Sequence, residues 1–326
     1  MKCIPVEIVI LCIFALAMQN CIKEELAECK ESALYLRYRY TLNNQYKNLF
    51  GSEVRNVTLY VFDGNDKYVG SFTESGEKLT NDYVMQIPLP EDTYRLIAYG
   101  GDLSTYSAGE LENQTNTMQN ELRAGITSLN DFRLFLHYTE GQDEYLNPRQ
   151  NPGDLYAGYV DKAVASTTGH PVTEVELIKD TKKIKVKVSG LSYLTRAVEM
   201  PEIYITALNG RYTYGNKTDP AHRVFKYTPV STSFNGNEME ADLKTMRLVV
   251  GEAPMLTVKL PSAPEWQYHK NMIEQIMSNP QYVSQEDIDR EDEFVFEINI
   301  SKSGPDLVIS LLINGWEINH VIPEMN

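Results

Sequence analysis

The sequence predicts an all-β protein built as two β-sandwich domains in tandem, with one short helix in the second. Three observations predict it. Apolar residues recur at every second position in segment after segment, the period of a strand with one buried face. Turn chemistry built on Gly, Pro, Asn and Asp separates those segments. The length of 326 residues suits about two domains of roughly 150 residues each, and the count of 21 tyrosines favours sheets over helical bundles.

The amino-terminal stretch reads as an export signal rather than as part of the fold. Ile8–Met18 is an apolar run with the length of a signal-peptide core, too short to cross a bilayer as a helix. Ala15-Leu16-Ala17 satisfies the small-x-small rule of an ordinary signal peptidase, while Cys21 fits processing as a lipoprotein. The expected layout is residues 1–20 as signal peptide and 21–30 as a lipid-anchored linker, followed by sandwiches over 31–170 and 171–326. All four cysteines lie within the first 29 residues. Cys3 and Cys12 would leave with the signal, and Cys29 has no evident partner. The mature chain is therefore expected to fold on its cores, without a disulfide framework.

Taken in order, Leu34, Leu36, Tyr38 and Tyr40 alternate with Tyr35, Arg37 and Arg39 as a half-buried strand. Val57, Leu59 and Val61 repeat the pattern, and Asp63-Gly64-Asn65-Asp66 turns the chain into Lys67–Phe72 as a hairpin. Val84–Ile87 is a short strand. Pro88–Asp92 then leads into Tyr94-Arg95-Leu96-Ile97-Ala98, the kind of re-entry seen in transthyretin-like domains. Ser104–Ala124, rich in Asn, Gln and Thr, reads as a long loop with a helical turn near Met118–Arg123. Phe132–Tyr138 and Asp154–Val160 return to strand character. Past Pro171, Val172–Ile178 and Ile184–Val188 alternate on either side of Lys179-Asp180-Thr181-Lys182-Lys183. Ile203–Ala207 and Met255–Leu260 continue the series. Met272, Ile273, Ile276 and Met277 share one face of the expected helix, with Pro280 just beyond it. Phe294, Phe296, Ile298 and Ile300 form another strand, and Leu307–Ile313 and Trp316–Ile318 form a hairpin about Asn314-Gly315.

The formal charge of −15 argues against nucleic acid as a partner, because like charge repels it. The histidines His137, His170, His222, His269 and His320 are scattered with no pair at metal-ligand spacing, so each reads as a surface or loop residue. There is no nucleophile elbow, phosphate loop or dinucleotide turn. The turn at Asp63–Asp66 lacks the rest of a calcium loop. Asp287–Glu293 is an acidic run before a strand, read as a solvated linker. Trp266 and Trp316, with many tyrosines, are compatible with a carbohydrate platform, although aromatics on strands are mostly core. No cofactor, metal site or catalytic residue is expected.

From Cys21 onward the chain resembles the fimbrial anchor (minor fimbrial subunit) lipoproteins of Bacteroidales type V pili. The resembling stretches are Cys21–Cys29, Leu34–Tyr40, Glu53–Asp63, Asp154–Gly158, Asp180–Val188 and Ile309–Trp316, and their order along the chain is more specific than any one of them. The resemblance implies two transthyretin-like sandwiches without enzymatic activity or a small-molecule substrate. It implies acylation (palmitate) at Cys21, with Lys23, Glu24 and Glu25 as the signal for the outer face of the outer membrane. It also implies an anchor that holds a fimbrium on the cell and limits its length, with fimbrial stalk subunits as partners through strand donation. No arginine-directed processing site of the kind found in polymerising subunits is evident. The alternative is a surface glycan-binding lipoprotein of a polysaccharide-uptake system, which would expose an aromatic platform instead of an open sheet edge.

Overall fold

The computed structural model describes residues 32–111, 118–141, 144–194, 199–304 and 306–321. Its sheets are five among the described residues, of three, five, four, six and six strands.

The first strand lies in the middle of the three-stranded sheet. Ala33–Arg39 runs parallel to Val172–Glu176 on one side and antiparallel to Val84–Pro88 on the other. Leu34, Leu36, Tyr38 and Tyr40 are all buried. They share a core with Val57, Leu59, Val61, Leu96 and Ala98 of the five-stranded sheet. That sheet runs Ile178–Lys179, Leu155–Ala165, Asp92–Gly101, Asn56–Phe62, Tyr68–Ser75. The expected hairpin is present: Asp63 Oδ1 accepts from the N–H groups of Asn65 and Lys67 at 2.9 and 2.8 Å. Asp66 takes the left-handed conformation there, φ 62°, as an Asp can.

Sheet pairing carries the first sandwich past the expected boundary at Pro171. Val172–Glu176 pairs with the first strand and Ile178–Lys179 with Leu155–Ala165. Val175 and Leu177 still face the first core, whereas Ile184 and Val186 face the second. The change falls at Asp180.

The expected loop over Ser104–Ala124 contains Tyr106–Leu111, a strand of a four-stranded sheet ordered Arg211–Thr213, Phe132–Leu136, Tyr106–Leu111, Met118–Gln119. Gly109 allows the last pairing, since a Cβ there would lie 2.1 Å from the Gln119 carbonyl oxygen. Phe132 brings its ring against Tyr60, Phe62 and Tyr99. This bridging sheet thus covers the outer face of the five-stranded sheet, which is buried on both sides.

The second sandwich pairs two six-stranded sheets. One is ordered Ala263–Asn271, Met255–Leu260, Glu202–Ala207, Phe225–Tyr227, Leu146–Pro148, Tyr138–Glu140. The other is ordered Ser231–Phe234, Glu238–Met246, Thr181–Ser189, Glu293–Ser303, Asp306–Ile313, Trp316–Val321. Leu146–Pro148 and Tyr138–Glu140 come from the first half of the chain, so the halves are interlaced. The closing hairpin turns on Asn314 and Gly315, φ 50° and 78°, the left-handed pair that a tight hairpin requires.

Among the described residues the second sandwich has two short helices rather than one. Met272–Met277 buries Met272, Ile273 and Ile276 and is capped by Asn271, whose side chain accepts from the Ile273 N–H. Gln285–Arg290 starts at a Ser284/Asp287 capping box, the reciprocal pairing that satisfies two free helix donors. No helix among the described residues is long and apolar enough to cross a membrane.

Candidate functional site

The first described strand is Ala33–Arg39. That strand is bonded along both edges, with register Tyr35↔Val172 to Arg39↔Glu176 and Ala33↔Pro88 to Arg37↔Val84. A pull along its axis must shear both ladders together; it cannot unzip one bond at a time. Its inward side chains add apolar burial worth about 1.5–3 kcal/mol each.

Beside the shared apolar contacts, a polar seam joins the first sandwich to the second. Lys179 holds Nζ 3.6 Å from Glu53, 3.5 Å from Asp292 and 3.9 Å from Asp154. Lys244 meets Asp154 at 2.7 Å. The Tyr156 hydroxyl donates to Glu53 at 2.6 Å, and that of Tyr40 to Asp292 at 3.3 Å. Arg290 lies over the Tyr46 ring, 4.7 Å from its centre. Glu53, Tyr40 and Tyr46 belong to the first sandwich, and Lys244, Arg290 and Asp292 to the second.

Deeper in the seam, Asp180 is fully buried. Its N–H bonds the Leu155 carbonyl at 2.7 Å, and its Oδ1 accepts from Asn216 at 3.0 Å and faces Arg247 at 3.8 Å. Arg247 forks onto Asp289 at 2.8 and 2.5 Å. Lys182, also fully buried, donates to the carbonyls of Asp289 and Glu291 at 2.8 and 2.5 Å. Burial pushes the Asp180 carboxyl up to about 6, against the pull of Arg247. Burial likewise lowers Lys182 to about 8, against the attraction of Asp289.

Two sequence expectations change here. Lys179–Lys183, read as the stretch between two alternating strands, carries the buried joint at Lys179–Lys182. Asp287–Glu293, read as a solvated linker, caps a helix with Asp287 and supplies Asp289 and Asp292 to the seam. The signal was present in the alternation, which continues back through Lys182 into Thr181–Ser189, but a lysine in an inward position reads as a break.

The remaining predicted residues distribute as follows. Cys21, Lys23, Glu24, Glu25 and Cys29 lie outside the described residues. Trp266 is buried, whereas Trp316 is 46% exposed on the terminal hairpin. No group of three or more His, Cys, Asp or Glu could hold a metal ion among the described residues. Long strands at sheet edges are Tyr68–Ser75, Ala263–Asn271 and Trp316–Val321, positions where a further strand can pair.

Comparison with solved structures places this fold. A candidate polysaccharide-binding protein from Bacteroides thetaiotaomicron superposes with TM-score 0.73 at 23% identity, covering 91% of this chain and 100% of its own. A candidate adhesin from the same species gives 0.71 at 24%, covering 93% and 100%. The fimbrial anchor protein Mfa2 from Porphyromonas gingivalis gives 0.68 at 18%, covering 89% and 99%. At these identities the likeness shows the fold alone. No curated protein matches the chain at a significant level. The sequence model of the fimbrillin-A associated anchor proteins Mfa1 and Mfa2 matches residues 26–321. With nearly its whole length matched, the chain belongs to the family of fimbrillin-A associated anchor proteins.

Proposed function

We propose that the chain is a structural lipoprotein that anchors a fimbrium to the outer membrane, with acyl chains on Cys21 as the attachment and Lys23, Glu24 and Glu25 directing it to the outer face. The observation that carries this reading is the family match over residues 26–321. The doubly bonded strand Ala33–Arg39 supports it, because a tether needs its first folded strand held on both sides. Several acyl chains on one cysteine give the firm attachment that a single chain does not.

Contact with fimbrial stalk subunits is assigned to strand pairing at a sheet edge. The same geometry supports a limit on fimbrial length. The position of the first strand is filled by the chain's own Ala33–Arg39, so a subunit of this kind offers no vacant strand site there and growth stops on it. The role requires no catalytic step. Deleting the chain is expected to move fimbriae from cells to medium and to lengthen them. Fimbriae that stay on the cells at unchanged length contradict the proposal.

A further inference from the structure

Where the bridging sheet meets the second sandwich, a cleft of about 580 Å³ opens to solvent, within the size range of small-molecule sites. In a chain of net charge −15 its walls gather cations and rings: Phe135, His137, Tyr138, Arg149, His222 and Arg223. The backbone sets them in place. The Leu146 N–H bonds the Val224 carbonyl, and the Arg149 N–H bonds the His137 carbonyl, both at 2.9 Å. Residues from three separated segments therefore meet, which is why five scattered histidines gave no signal in the sequence.

Arg149 is exposed. Among the described residues its guanidinium makes one long bond, 3.4 Å to the Tyr138 carbonyl. Arg223 bonds Glu140 at 2.5 Å and the Glu144 carbonyl at 3.0 Å. His222 stands edge-on to Tyr138 and against Phe225, and its Nε2 is buried without a hydrogen-bond partner. Burial, with Arg211 nearby, holds this imidazole down at about 4, so it is neutral at pH 7. Burial and Arg149 lower His137 as well, and its Nε2 lies 2.7 Å from the Ser107 hydroxyl. The carboxylates nearby are Glu140, held by Arg223, and Asp219, which meets Arg133 and Arg211 at 2.7 and 3.0 Å.

We propose that this cleft binds acidic sugars, with the guanidinium groups of Arg149 and Arg223 on the carboxylate and the Tyr138 ring against the sugar ring. Three features select that chemistry together. A planar guanidinium matches a carboxylate with two parallel bonds, and concave walls concentrate its field. The Tyr138 ring offers an apolar face to the C–H side of a sugar. An inorganic anion leaves the Tyr138 ring unanswered, and a neutral sugar leaves Arg149 unanswered. The site lies apart from the tether strand, so it stands whether or not the chain anchors a fimbrium.

The test is titration calorimetry of the full chain with digalacturonate, N-acetylneuraminic acid, digalactose and inorganic phosphate. Saturable binding of at least one acidic sugar is expected, at least tenfold tighter than digalactose or phosphate and weakened by salt. Arg149→Ala and Arg223→Ala, both at the surface, should each weaken it tenfold or more without changing the thermal midpoint, and Arg149→Lys should retain part of it. No acidic-sugar binding by the folded chain overturns the proposal. So does equal affinity for digalactose or phosphate, or affinity unchanged in both alanine variants.

Discussion

In the first sandwich, Leu34, Leu36, Val57 and Leu59 fill a closed volume with apolar atoms. At the seam, Asp180, Lys182, Arg247 and Asp289 fill an equally closed volume with charge. Apolar burial is non-directional and supplies most of the driving force for folding. It accepts small slides and rotations at modest cost. A buried ion network contributes little net stability compared with a well-packed apolar replacement, yet loses several kcal/mol when one partner is removed. Only one arrangement satisfies it. On this comparison the apolar packing, which also runs between the sandwiches through the bridging sheet, supplies cohesion, and the seam adds a directional constraint on how one sandwich sits on the other.

The comparison breaks most visibly at Arg247. Arg247→Ala leaves Asp180 and Asp289 buried without their cation and is expected to cost about 3–5 kcal/mol in urea unfolding. Adding Asp180→Asn and Asp289→Asn to the same chain should recover part of the loss. A cost below about 1 kcal/mol would show a seam open to water.

Leu36→Ala is expected to cost about 3 kcal/mol through the cavity it leaves. No change of charge at the seam should rescue it. Rescue by Asp180→Asn would mean that the two regions are not separate.

The pH dependence sharpens the contrast. Asp180 has its folded pKa raised to about 6, so its contribution to stability is present below the ordinary carboxylate value and lost as pH rises through 6. Lys182 has its folded pKa lowered to about 8, so its contribution is present above the ordinary lysine value and lost as pH falls through 8. Between these values both are charged and the seam is at its least favourable. As pH falls from 7 to 4, the wild type should gain on the order of 2–3 kcal/mol relative to Asp180→Asn, read from thermal midpoints of the two proteins. A constant gap across that range contradicts the assignment.

The smallest effect is expected at the surface. Arg39 and Glu174 pair at 3.0 Å between the first strand and Val172–Glu176, with both side chains partly solvated. Glu174→Ala should change stability by less than about 0.5 kcal/mol. A larger loss would show that the parallel pairing there leans on charge.

The apolar half of this comparison was legible in the sequence. Leu34–Tyr40, Val57–Val61 and Phe294–Ile300 alternate with the period of a strand, and each places its apolar set in a core. Turn chemistry at Asp63–Asp66 and Asn314-Gly315 located both hairpins. Glu238–Met246 also alternates, with Met239, Ala241 and Leu243 inward. Met and Ala are weak strand formers and acidic residues stand between them, so the pattern carries little propensity. Tyr106–Leu111 is set by pairing with Phe132–Leu136, a contact that no local window contains. The seam was hidden for a different reason. Lys182, Asp180 and Asp289 look like solvent-facing charges until partners far along the chain close over them. The cleft at Arg149 and His222 is likewise a product of pairing between distant segments.

The most direct test of the anchor assignment is the partition of fimbriae between cells and medium in cells carrying the wild-type chain and in cells carrying Cys21→Ala. Retention on wild-type cells and release into the medium from Cys21→Ala cells is the predicted result. Equal retention in both would contradict it, and would mean that the fibre is held by something other than lipid on Cys21.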